Sequence, residues 1–569
     1  MSAETINGAR IVLETLHRLG VTDMFGYPGG AVIPIYDEIY SFPEIKHYFV
    51  RHEQGAAHAA DGYARVSGKV GVCLATSGPG ATNLVTGIMT AYMDSVPMVA
   101  ITGQVGRALI GKDSFQEADI QGITMPITKH NYLVQDIHDL PRIIKEAYFI
   151  AGTGRPGPVL IDIPKDIQTE KISMAEYNKL FDIPIHLEGY DPTYKGHQGQ
   201  IKKAATLIKN AKRPLIIAGA GVLKSGAMAE LKALAEKAQI PVANTLVGLG
   251  GFPGNHELAL GMVGMHGSVA ANNCTEDADL VIAAGIRFHD RITGHPDFFC
   301  KKAKIIHIDI DPAEIDKNVT INVPIVGDLK RVLTELNTFV EPTTHESWIA
   351  QIREWQQEYP MVVPESTHGE LHPQYVLSEL NKIAKDDAII VTDVGQHQMW
   401  AAQFLTHKAP HTIVTSGGAG TMGYGLPAAI GAQVGAPNKQ VILVVGDGGF
   451  QMTCEELMMV RQYNLPIKIV IINNGYLGMV RQWQQIFNDR RYSYVDLEVS
   501  PDFLKLADAF DLKAARFDSV ETFNKDFKSY ITSDESIVLD CRVEREDNVL
   551  PMIPAGGTVS GMMGKKGVL

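Results

Sequence analysis

Short apolar runs rich in valine and isoleucine alternate with longer amphipathic segments along most of the chain. These runs are Val70 to Ala75, Met98 to Thr102, Pro158 to Ile163, Pro214 to Ala218, Leu280 to Ala284 and Lys304 to Ile310. A short, continuously apolar run indicates a strand buried on both faces, and its alternation with helical segments is typical of parallel sheets wrapped by helices. The pattern therefore predicts an α/β fold of doubly wound domains with mainly parallel sheets.

Two stretches interrupt this alternation and predict boundaries between domains. One lies around Pro184 to Lys195, and a longer polar one runs from Glu341 to His372 and contains several prolines. Clusters of proline and polar residues end regular structure. Because 569 residues exceed what a single hydrophobic core supports, we predict three domains. Their bounds are 1–185, 190–340 and 373–569, with residues 341–372 as a linker.

A glycine-rich sequence occurs in both the first and the last third. It reads Thr-Ser-Gly-Pro-Gly over residues 76–80 and Thr-Ser-Gly-Gly-Ala-Gly over residues 415–420. Such turns follow strands in many α/β proteins, so this echo leaves open whether the two domains are related.

The composition argues against several classes of function. The net charge is -13 and no basic run reverses it locally, so nucleic acid is not an expected partner. No apolar run approaches a membrane span, and Glu4 and Glu14 interrupt the amino-terminal segment where a signal peptide would be apolar. Five cysteines without a C-x-x-C pair argue against a disulfide framework and a zinc site. We therefore expect a cytoplasmic protein.

Polar residues follow two neighbouring predicted strands in the last third. Val441 to Val445 leads into Gly-Asp-Gly-Gly, and Ile467 to Ile472 leads into Asn-Asn. In a βαβ unit both clusters lie at the carboxyl ends of adjacent strands, where open α/β sheets bind ligands. Asp447 and Asn474 offer oxygen ligands that suit Mg²⁺, but one carboxylate and one amide do not fill its coordination shell. The pattern therefore predicts a phosphorylated ligand that shares the ion.

The 24 residues between Gly448 and Asn473 resemble the spacing in the signature of thiamine-diphosphate enzymes. In that family a glutamate from another domain hydrogen-bonds N1′ of the cofactor's aminopyrimidine. Glu53, within Arg-His-Glu-Gln-Gly-Ala-Ala-His, matches the motif that carries this glutamate. The resemblance assigns Mg²⁺ to Asp447, Asn474 and Tyr476, and the diphosphate to Gly446, Gly448 and Gly449.

Further matches, spread over nearly the whole chain, resemble the catalytic subunits of acetohydroxyacid synthase, also called acetolactate synthase. They lie at residues 28–31, 103–117, 154–166, 396–400 and 478–483. The resemblance implies that additional cofactor contacts are made by Gly30, Pro79, Gln396, His397, Gly420, Met422 and Met479. It implies that the catalytic residues besides Glu53 are Gln116, Lys165 and Arg291, and that Phe115 and Trp483 line the substrate pocket.

The middle third contains Gly-Ala-Gly at residues 219–221 after an apolar run, but Lys224 stands where the third glycine of G-x-G-x-x-G would fall. The dinucleotide fingerprint is thus incomplete, and the pattern alone assigns no nucleotide. The family resemblance implies bound FAD without a net redox role, as in the biosynthetic members. The FAD contacts that it implies are Arg155, Gly264, Met265, His266, Gly267, Arg287, Asp309 and Asp328.

The resemblance also implies the reaction and the assembly. Pyruvate would be decarboxylated and the hydroxyethyl carbanion condensed with pyruvate or 2-oxobutyrate, giving acetolactate or acetohydroxybutyrate, in the first common step of branched-chain amino-acid biosynthesis. The three domains would bind the pyrimidine, FAD and the diphosphate with Mg²⁺, and the site would form between subunits of a homodimer or homotetramer. A regulatory small subunit is a further implied partner.

Two other enzymes remain as alternatives to this function, a FAD-dependent pyruvate oxidase and a catabolic acetolactate synthase. A non-catalytic scaffold is disfavoured because Glu53, Asp447 and Asn474 are all present. The preference between the two acceptors does not follow from the sequence.

Overall fold

A computed structural model describes residues 4–567, and its strands form three six-stranded parallel sheets and one two-stranded antiparallel pair. The six apolar runs that predicted strands all form strands, with ends within two residues of the predicted ones. The predicted fold class is confirmed. Every helix in the described part is too short or too polar to cross a membrane.

The first sheet lies in the amino-terminal third and has the order β3-β2-β4-β5-β7-β6. The strands of this third are β1 (Thr5–Asn7), β2 (Asp23–Gly26), β3 (Lys46–Phe49), β4 (Gly71–Ala75), β5 (Met98–Gln104), β6 (His130–Leu133), β7 (Pro158–Pro164) and β8 (Lys171–Ser173). Its helices are α1 (Gly8–Arg18), α2 (Ile33–Tyr40), α3 (Glu53–Ser67), α4 (Pro79–Asn83), α5 (Val85–Met93), α6 (Ile120–Thr124), α7 (Leu140–Gly152), α8 (Lys165–Thr169) and α9 (Met174–Asp182). Strands β1 and β8 form the antiparallel pair.

The central sheet has the order β11-β10-β9-β12-β13-β14. Its strands are β9 (Pro214–Ala218), β10 (Val242–Asn244), β11 (Ala259–Met262), β12 (Leu280–Ala284), β13 (Lys304–Asp309) and β14 (Val323–Val326). Its helices are α10 (Gln198–Asn210), α11 (Ala220–Lys224), α12 (Met228–Ala238), α13 (Val269–Asp277), α14 (Asp290–Thr293), α15 (Leu329–Phe339) and α16 (Glu346–Glu358). Counted from its own first strand this order is 3-2-1-4-5-6, the order of dinucleotide-binding Rossmann folds, although the glycine fingerprint is incomplete.

The third sheet has the order β16-β15-β17-β18-β20-β19. Its strands are β15 (Ile389–Thr392), β16 (Ile413–Val414), β17 (Val441–Gly446), β18 (Lys468–Asn473), β19 (Lys513–Phe517) and β20 (Ile537–Arg542). Its helices are α17 (Pro373–Ile383), α18 (Gln396–Phe404), α19 (Gly425–Gly435), α20 (Asp447–Gln451), α21 (Leu457–Gln462), α22 (Gly478–Phe487), α23 (Phe503–Ala509) and α24 (Val520–Ile531). Counted within each sheet, the first and third share the order 2-1-3-4-6-5, which supports a relationship between these two domains.

The predicted linker over residues 341–372 contains a helix, α16. Trp348 and Ile352, four residues apart, are buried against the central sheet, and the Trp348 indole donates a hydrogen bond to the carbonyl of Pro214 at 3.0 Å. Residues 341–345 and 359–372 form neither helix nor strand. Apolar spacing of four residues on one helical face is therefore the signal for α16 within this polar stretch.

Helices α3 and α19 pack directly against each other and join the first and third sheets into one hydrophobic core. The two backbones touch at glycines, because a Cβ at Gly62 would overlap the carbonyl of Ala428 and one at Gly431 would overlap the carbonyl of Ala59. This contact fixes how the carboxyl edges of the two sheets lie relative to each other.

Candidate cofactor and substrate site

A cavity lies at the carboxyl edge of the third sheet, where the strand order reverses between β15 and β17. Open α/β sheets bind ligands at such a point. Six predicted cofactor or metal residues come from the segments after β15, β17 and β18 and line the cavity together: Gln396, His397, Gly446, Asp447, Gly448 and Asn474. The predicted residues Gly449, Tyr476, Met422 and Met479 also line it.

Asp447 begins α20 and is 1% exposed, yet its Oδ2 has no hydrogen-bond partner. Burial raises the pKa of this carboxyl from its usual value to about 7. A buried carboxylate without a partner is unfavourable, and a divalent cation is a partner that removes the cost. The carboxylate therefore fits the predicted Mg²⁺.

Asn474 lies in the same cavity wall and is also buried. Its Nδ2 donates to Gln396 Oε1 at 3.0 Å, and its Oδ1 accepts from the backbone N–H of Tyr476 at 3.1 Å. Because an amide oxygen has two acceptor sites, Oδ1 retains one for a metal ion. The Tyr476 ring lies under the guanidinium of Arg545, 4.3 Å from the ring centre.

The three glycines of this motif leave room for neighbouring side chains. A Cβ at Gly446 would lie 2.9 Å from the His397 ring, one at Gly448 would lie 2.8 Å from Leu477, and one at Gly449 would overlap the Asp393 carboxylate. His397 is buried, and burial lowers the pKa of its imidazole to about 3, so the ring is neutral at physiological pH. Its Nε2 has no hydrogen-bond partner and is available to a ligand.

The loop that carries Gly420 and Met422 is followed by backbone that binds a buried carboxylate, that of Asp393, which was not predicted from the sequence. Asp393 accepts hydrogen bonds from the backbone N–H groups of Gly423 at 3.2 Å and Gly425 at 2.7 Å. Gly420 has a φ of +63°, a conformation that favours glycine. The available signal was an aspartate directly after a short apolar run, since Asp393 follows β15 as Asp447 follows β17.

A second cavity, of about 630 Å³, lies at the carboxyl edge of the central sheet. It is lined by residues that follow β9 and β12, the two strands between which a Rossmann sheet binds its dinucleotide. The predicted FAD residues that line it are Arg155, Met265, His266, Arg287, Asp309 and Asp328. Gly264 and Gly267 are not among its wall residues. They shape the turn before α13, where Gly264 has a φ of +109°.

The wall of this central cavity carries the cationic groups of Arg155, Lys224 and Arg287. Burial, with Arg155 as the next cause, lowers the pKa of Arg287, and burial lowers that of Lys224 to about 7. Asp311 and Glu314 pair with Arg155 at 3.0 and 2.7 Å. The cavity's volume, its place in the sheet and the guanidinium and ammonium groups in its wall fit a phosphate-containing dinucleotide such as FAD.

The two cavities are contiguous. Both are lined by Val394, Gly395, Met422, Met479 and Val480. The predicted substrate residues Arg291 and Trp483 lie in the wall of the central cavity, Trp483 beside Phe487 with ring centres 5.3 Å apart and Arg291 paired with Asp290 at 3.0 Å. The predicted acceptor residues thus line the cavity that adjoins the predicted metal site.

Glu53 lies at the start of α3, at the carboxyl edge of the first sheet. It is 9% exposed, and its Oε2 accepts a hydrogen bond from Asn83 Nδ2 at 2.9 Å. The backbone N–H groups of Arg51 and His52, just before it, donate to the carboxylate of Glu456 in the third domain, at 3.0 and 3.1 Å. Neither Asn83 nor Glu456 was predicted as a site residue from the sequence.

The other predicted residues of this edge are largely exposed. Phe115 is 88% exposed, and Gly30, Pro79 and Lys165 are also exposed. Gln116 is held with a φ of +59° against Gly78. Among the residues that the structure describes, neither cavity wall includes Glu53, Phe115, Gln116 or Lys165. One chain therefore brings together the predicted metal, diphosphate and flavin residues, but does not bring these amino-terminal residues to them.

Three family models of thiamine pyrophosphate enzymes match the chain. They describe the N-terminal TPP binding domain over residues 6–123, the central domain over 201–336 and the C-terminal TPP binding domain over 393–541. The acetolactate synthase large subunit of Lactococcus lactis subsp. lactis is 48% identical over 559 residues, which cover 98% of this chain and 96% of that protein. The chain belongs to the acetolactate synthase family of thiamine pyrophosphate enzymes.

Other acetolactate synthases are similar to the chain over nearly its whole length. The large subunit of Corynebacterium glutamicum is 49% identical over 567 residues, covering 98% of this chain and 90% of that protein. The enzyme of Mycobacterium bovis is 47% identical over 582 residues, covering 100% and 93%. The predicted family resemblance is thus confirmed.

Proposed function

We propose that this protein is the catalytic subunit of an acetolactate synthase, which decarboxylates pyruvate and joins the remaining two-carbon unit to a second 2-oxo acid. The observation that carries the proposal is the buried Asp447 carboxylate with one unpaired oxygen. It lies beside Asn474 in a chain 47 to 49% identical to acetolactate synthases over almost its full length. The acceptors are pyruvate, giving acetolactate, and 2-oxobutyrate, giving acetohydroxybutyrate.

Asp447 and Asn474 are the proposed side-chain ligands of Mg²⁺, with Tyr476 as a third ligand residue. Gln396 and His397, with Gly446, Gly448 and Gly449, would surround the diphosphate. When bound, thiamine diphosphate supplies the nucleophilic carbon and the electron sink that allow the carboxylate of pyruvate to leave as CO₂. Gly420, Met422 and Met479 would contact the rest of the cofactor, and Met422 and Met479 belong to the wall that both cavities share.

Glu53 is the proposed proton carrier at N1′ of the aminopyrimidine. Its hydrogen bond from Asn83 supports this role, because it directs the carboxylate while leaving Oε1 free for a second partner. Gly30 and Pro79 would lie beside it. These residues belong to the first domain, so we propose that they complete the site of a second subunit in a homodimer or homotetramer.

The acceptor 2-oxo acid is proposed to bind between Arg291 and Trp483 on one side and Gln116, Phe115 and Lys165 on the other. The Arg291 guanidinium can bind a carboxylate through two parallel hydrogen bonds. Its present partner, Asp290, is 62% exposed and is a weak competitor, because surface ion pairs contribute little.

FAD is the proposed ligand of the central cavity, with a structural and non-redox role. The Rossmann strand order, the guanidinium groups of Arg155 and Arg287 in the cavity wall, and the acidic Asp309 and Asp328 support this assignment. Two curated relatives are called large subunits, which supports a regulatory small subunit as a further partner.

All five cysteines are free, as expected in the reducing cytoplasm that we propose as its location.

A product assay tests the function. Purified protein with thiamine diphosphate, Mg²⁺ and FAD is expected to convert pyruvate to acetolactate, and to form acetohydroxybutyrate when 2-oxobutyrate is added. Pyruvate consumption with oxygen uptake or quinone reduction, and without acetolactate, would instead identify a pyruvate oxidase.

Changing Glu53 tests the proposed proton carrier. Glu53→Gln is expected to lower turnover by roughly 10²- to 10⁴-fold, the usual contribution of a positioned acid or base. Binding of thiamine diphosphate, measured by calorimetry, should stay close to that of the unaltered protein, because the diphosphate site is intact. Undiminished turnover would contradict the assigned role.

A further inference from the structure

The turn formed by Asp94 and Ser95 lies where all three domains meet. It follows α5, and Ser95 has a φ of +55°, a strained conformation for a residue other than glycine. Both residues are buried, and both line the central cavity. A strained turn persists only where its surroundings hold it firmly, so the groups that hold it identify what it connects.

Two cationic residues of the central cavity wall bind the turn on one side. Lys224 donates to the carbonyl oxygens of Asp94 and Ser95, the latter at 2.8 Å. The guanidinium of Arg155 donates from Nε to the Ser95 hydroxyl at 2.8 Å. Both side chains also line the cavity. A ligand whose phosphate oxygens accept hydrogen bonds from these two side chains would therefore be connected to the turn directly through each of them.

The Asp94 carboxylate binds the third domain on the other side. Its Oδ2 accepts the backbone N–H of Gly417 at 2.9 Å, and its Oδ1 accepts that of Gly418 at 2.7 Å. A Cβ at Gly418 would lie 2.9 Å from this carboxylate, so glycine is what permits the approach. The hydroxyls of Thr90 and Thr421, 2.7 Å apart, add a second contact between α5 and the same loop.

A buried ion pair anchors the turn within the protein. Arg65 binds Asp94 at 2.9 Å and Asp61 at 2.6 Å, and Asp61 in turn accepts the hydroxyl hydrogen bond of Tyr424 at 2.6 Å. The pKa of Asp94 is lowered: burial opposes this as the largest single effect, but Arg65 and the Gly417 N–H outweigh it. Asp94 is therefore a fixed negative charge whose position depends on the residues around it.

We propose that Lys224 and Asp94 are positioning residues that couple the central cavity to residues 415–422, the loop that bears Gly420 and Met422. A dinucleotide bound at Arg155 and Lys224 holds the Asp94–Ser95 turn, and the Asp94 carboxylate then fixes the glycine amides of the loop that receives thiamine diphosphate. This coupling rests on the proposed function. Through it, a flavin that takes no part in redox chemistry would strengthen the binding of thiamine diphosphate.

Calorimetric titration tests the coupling without measuring turnover. Protein freed of both cofactors is titrated with thiamine diphosphate in Mg²⁺, with and without saturating FAD. We expect FAD to tighten thiamine diphosphate binding at least fivefold, within the usual range of coupling between sites. Coupling is reciprocal, so thiamine diphosphate must tighten FAD binding, followed by flavin fluorescence, by the same factor.

Lys224→Met removes the ammonium group and keeps most of the side-chain volume. It is expected to weaken FAD binding, because Lys224 is a proposed phosphate contact, and to reduce the coupling to within twofold of none when the FAD concentration is raised to saturate the variant. Lys232→Met, which removes a lysine whose partner is an exposed Glu236 on α12, is the matched control and should keep the coupling. Ser95→Ala, which deletes only the hydroxyl held by Arg155, carries the test if Lys224→Met does not fold, and should reduce the coupling in part.

Three outcomes would decide against the proposal. Unchanged coupling in a folded Lys224→Met would mean that the flavin acts on residues 415–422 directly, and unchanged coupling in Ser95→Ala would overturn the route through the turn. An unaltered protein that makes acetolactate but shows no coupling would overturn the inference while leaving the function intact. Failure of the unaltered protein to bind thiamine diphosphate would instead overturn the proposed function.

Discussion

Three buried carboxylates around the candidate site differ in how completely their oxygens are bonded. Asp393 accepts backbone N–H groups of the loop beside it, and Glu456 accepts those of Arg51 and His52. Asp447 alone of these three has an oxygen without a partner. Fully bonded carboxylates fix the backbone, whereas an unpaired one is available to a ligand. The bonding of the oxygens therefore distinguishes supporting carboxylates from the proposed metal ligand, which position in the sequence alone does not.

Asp393→Asn is expected to weaken thiamine diphosphate binding. The amide keeps one acceptor oxygen and turns an N–H group toward backbone donors, so at least one hydrogen bond is lost, at a cost of about 1–3 kcal/mol. Calorimetry should show the affinity falling by roughly 5- to 150-fold. Asp386→Asn, at a carboxylate that is 76% exposed, is the control and should bind normally. An unchanged affinity of Asp393→Asn for thiamine diphosphate would contradict the supporting role of Asp393.

Glu456 predicts a pH dependence of stability. Burial is the largest cause that raises the pKa of this carboxyl from 4.5 to about 8, with Glu455 adding to it, while the N–H groups of residues 51 and 52 and the charge of Arg51 oppose it. The folded protein thus binds a proton that the unfolded chain releases between these values, so this residue's contribution to stability declines as the pH rises from about 5 to 8.

Glu456→Gln removes this titration and keeps an acceptor oxygen. The melting temperature of the variant minus that of the unaltered protein is therefore expected to become more positive between pH 5 and pH 8, as measured by differential scanning calorimetry. A Glu455→Gln variant, altered at the neighbouring carboxyl, controls for general charge effects and should show a smaller change. A temperature difference that stays constant over this range would contradict the buried, protonated Glu456.

At the scale of elements, the pairing of α3 with α19 links catalysis to domain packing. Helix α3 begins at the proposed proton carrier Glu53, and α19 follows the loop that bears Gly420 and Met422. Small residues let the two backbones touch, as a Cβ at Gly62 or Gly431 would overlap a carbonyl of the other helix. A shift of either helix would therefore move residues of the first and third domains relative to each other.

Gly431→Ala is expected to lower the melting temperature, because the added methyl meets backbone and not a side chain that can rotate away. Overpacking of this kind costs about 1–3 kcal/mol. Gly152→Ala is the matched control: it lies in helix α7, its Cβ would meet only Val70 at an ordinary 3.5 Å, and alanine favours helix. A melting temperature for Gly431→Ala equal to that of Gly152→Ala would contradict the close contact.

Elements formed by continuous apolar runs were predictable from the sequence, because burial of a central strand on both faces leaves a local pattern. The runs at 214–218 and 280–284 match β9 and β12 residue for residue. The order of strands leaves no such local pattern, so the Rossmann order of the central sheet was not predicted. Asp94 and Lys224 were missed for the same reason, since they meet residues 417 and 94 across domains.

At the scale of the whole molecule, one chain holds two groups of predicted site residues apart. The third and central domains carry the predicted metal, diphosphate and flavin residues around contiguous cavities, while Glu53 lies at the edge of the first domain beside exposed residues such as Phe115. We propose that the predicted residues at this edge face the cavities of a second subunit. A second copy related by two-fold symmetry would complete both sites at once.

Mixing two inactive variants tests this arrangement. Glu53→Gln disables the amino-terminal half, and Asp447→Ala disables the metal-binding half, so each variant alone should be inactive. In a mixed dimer one site receives both changes and the other receives neither. Random pairing makes about half of the dimers mixed, so refolding the two variants together should restore about a quarter of the normal acetolactate-forming activity.

The opposite arrangement, with each site built within one chain, predicts no recovery, because every chain then carries a disabling change in its own site. Refolding Glu53→Gln together with Glu53→Ala is the control, since both changes fall in the same half and no pairing restores it. Activity that recovers only in the first mixture would require Glu53 and Asp447 to act from different subunits. It would also explain why folding one chain leaves Glu53 outside the cavity that it serves.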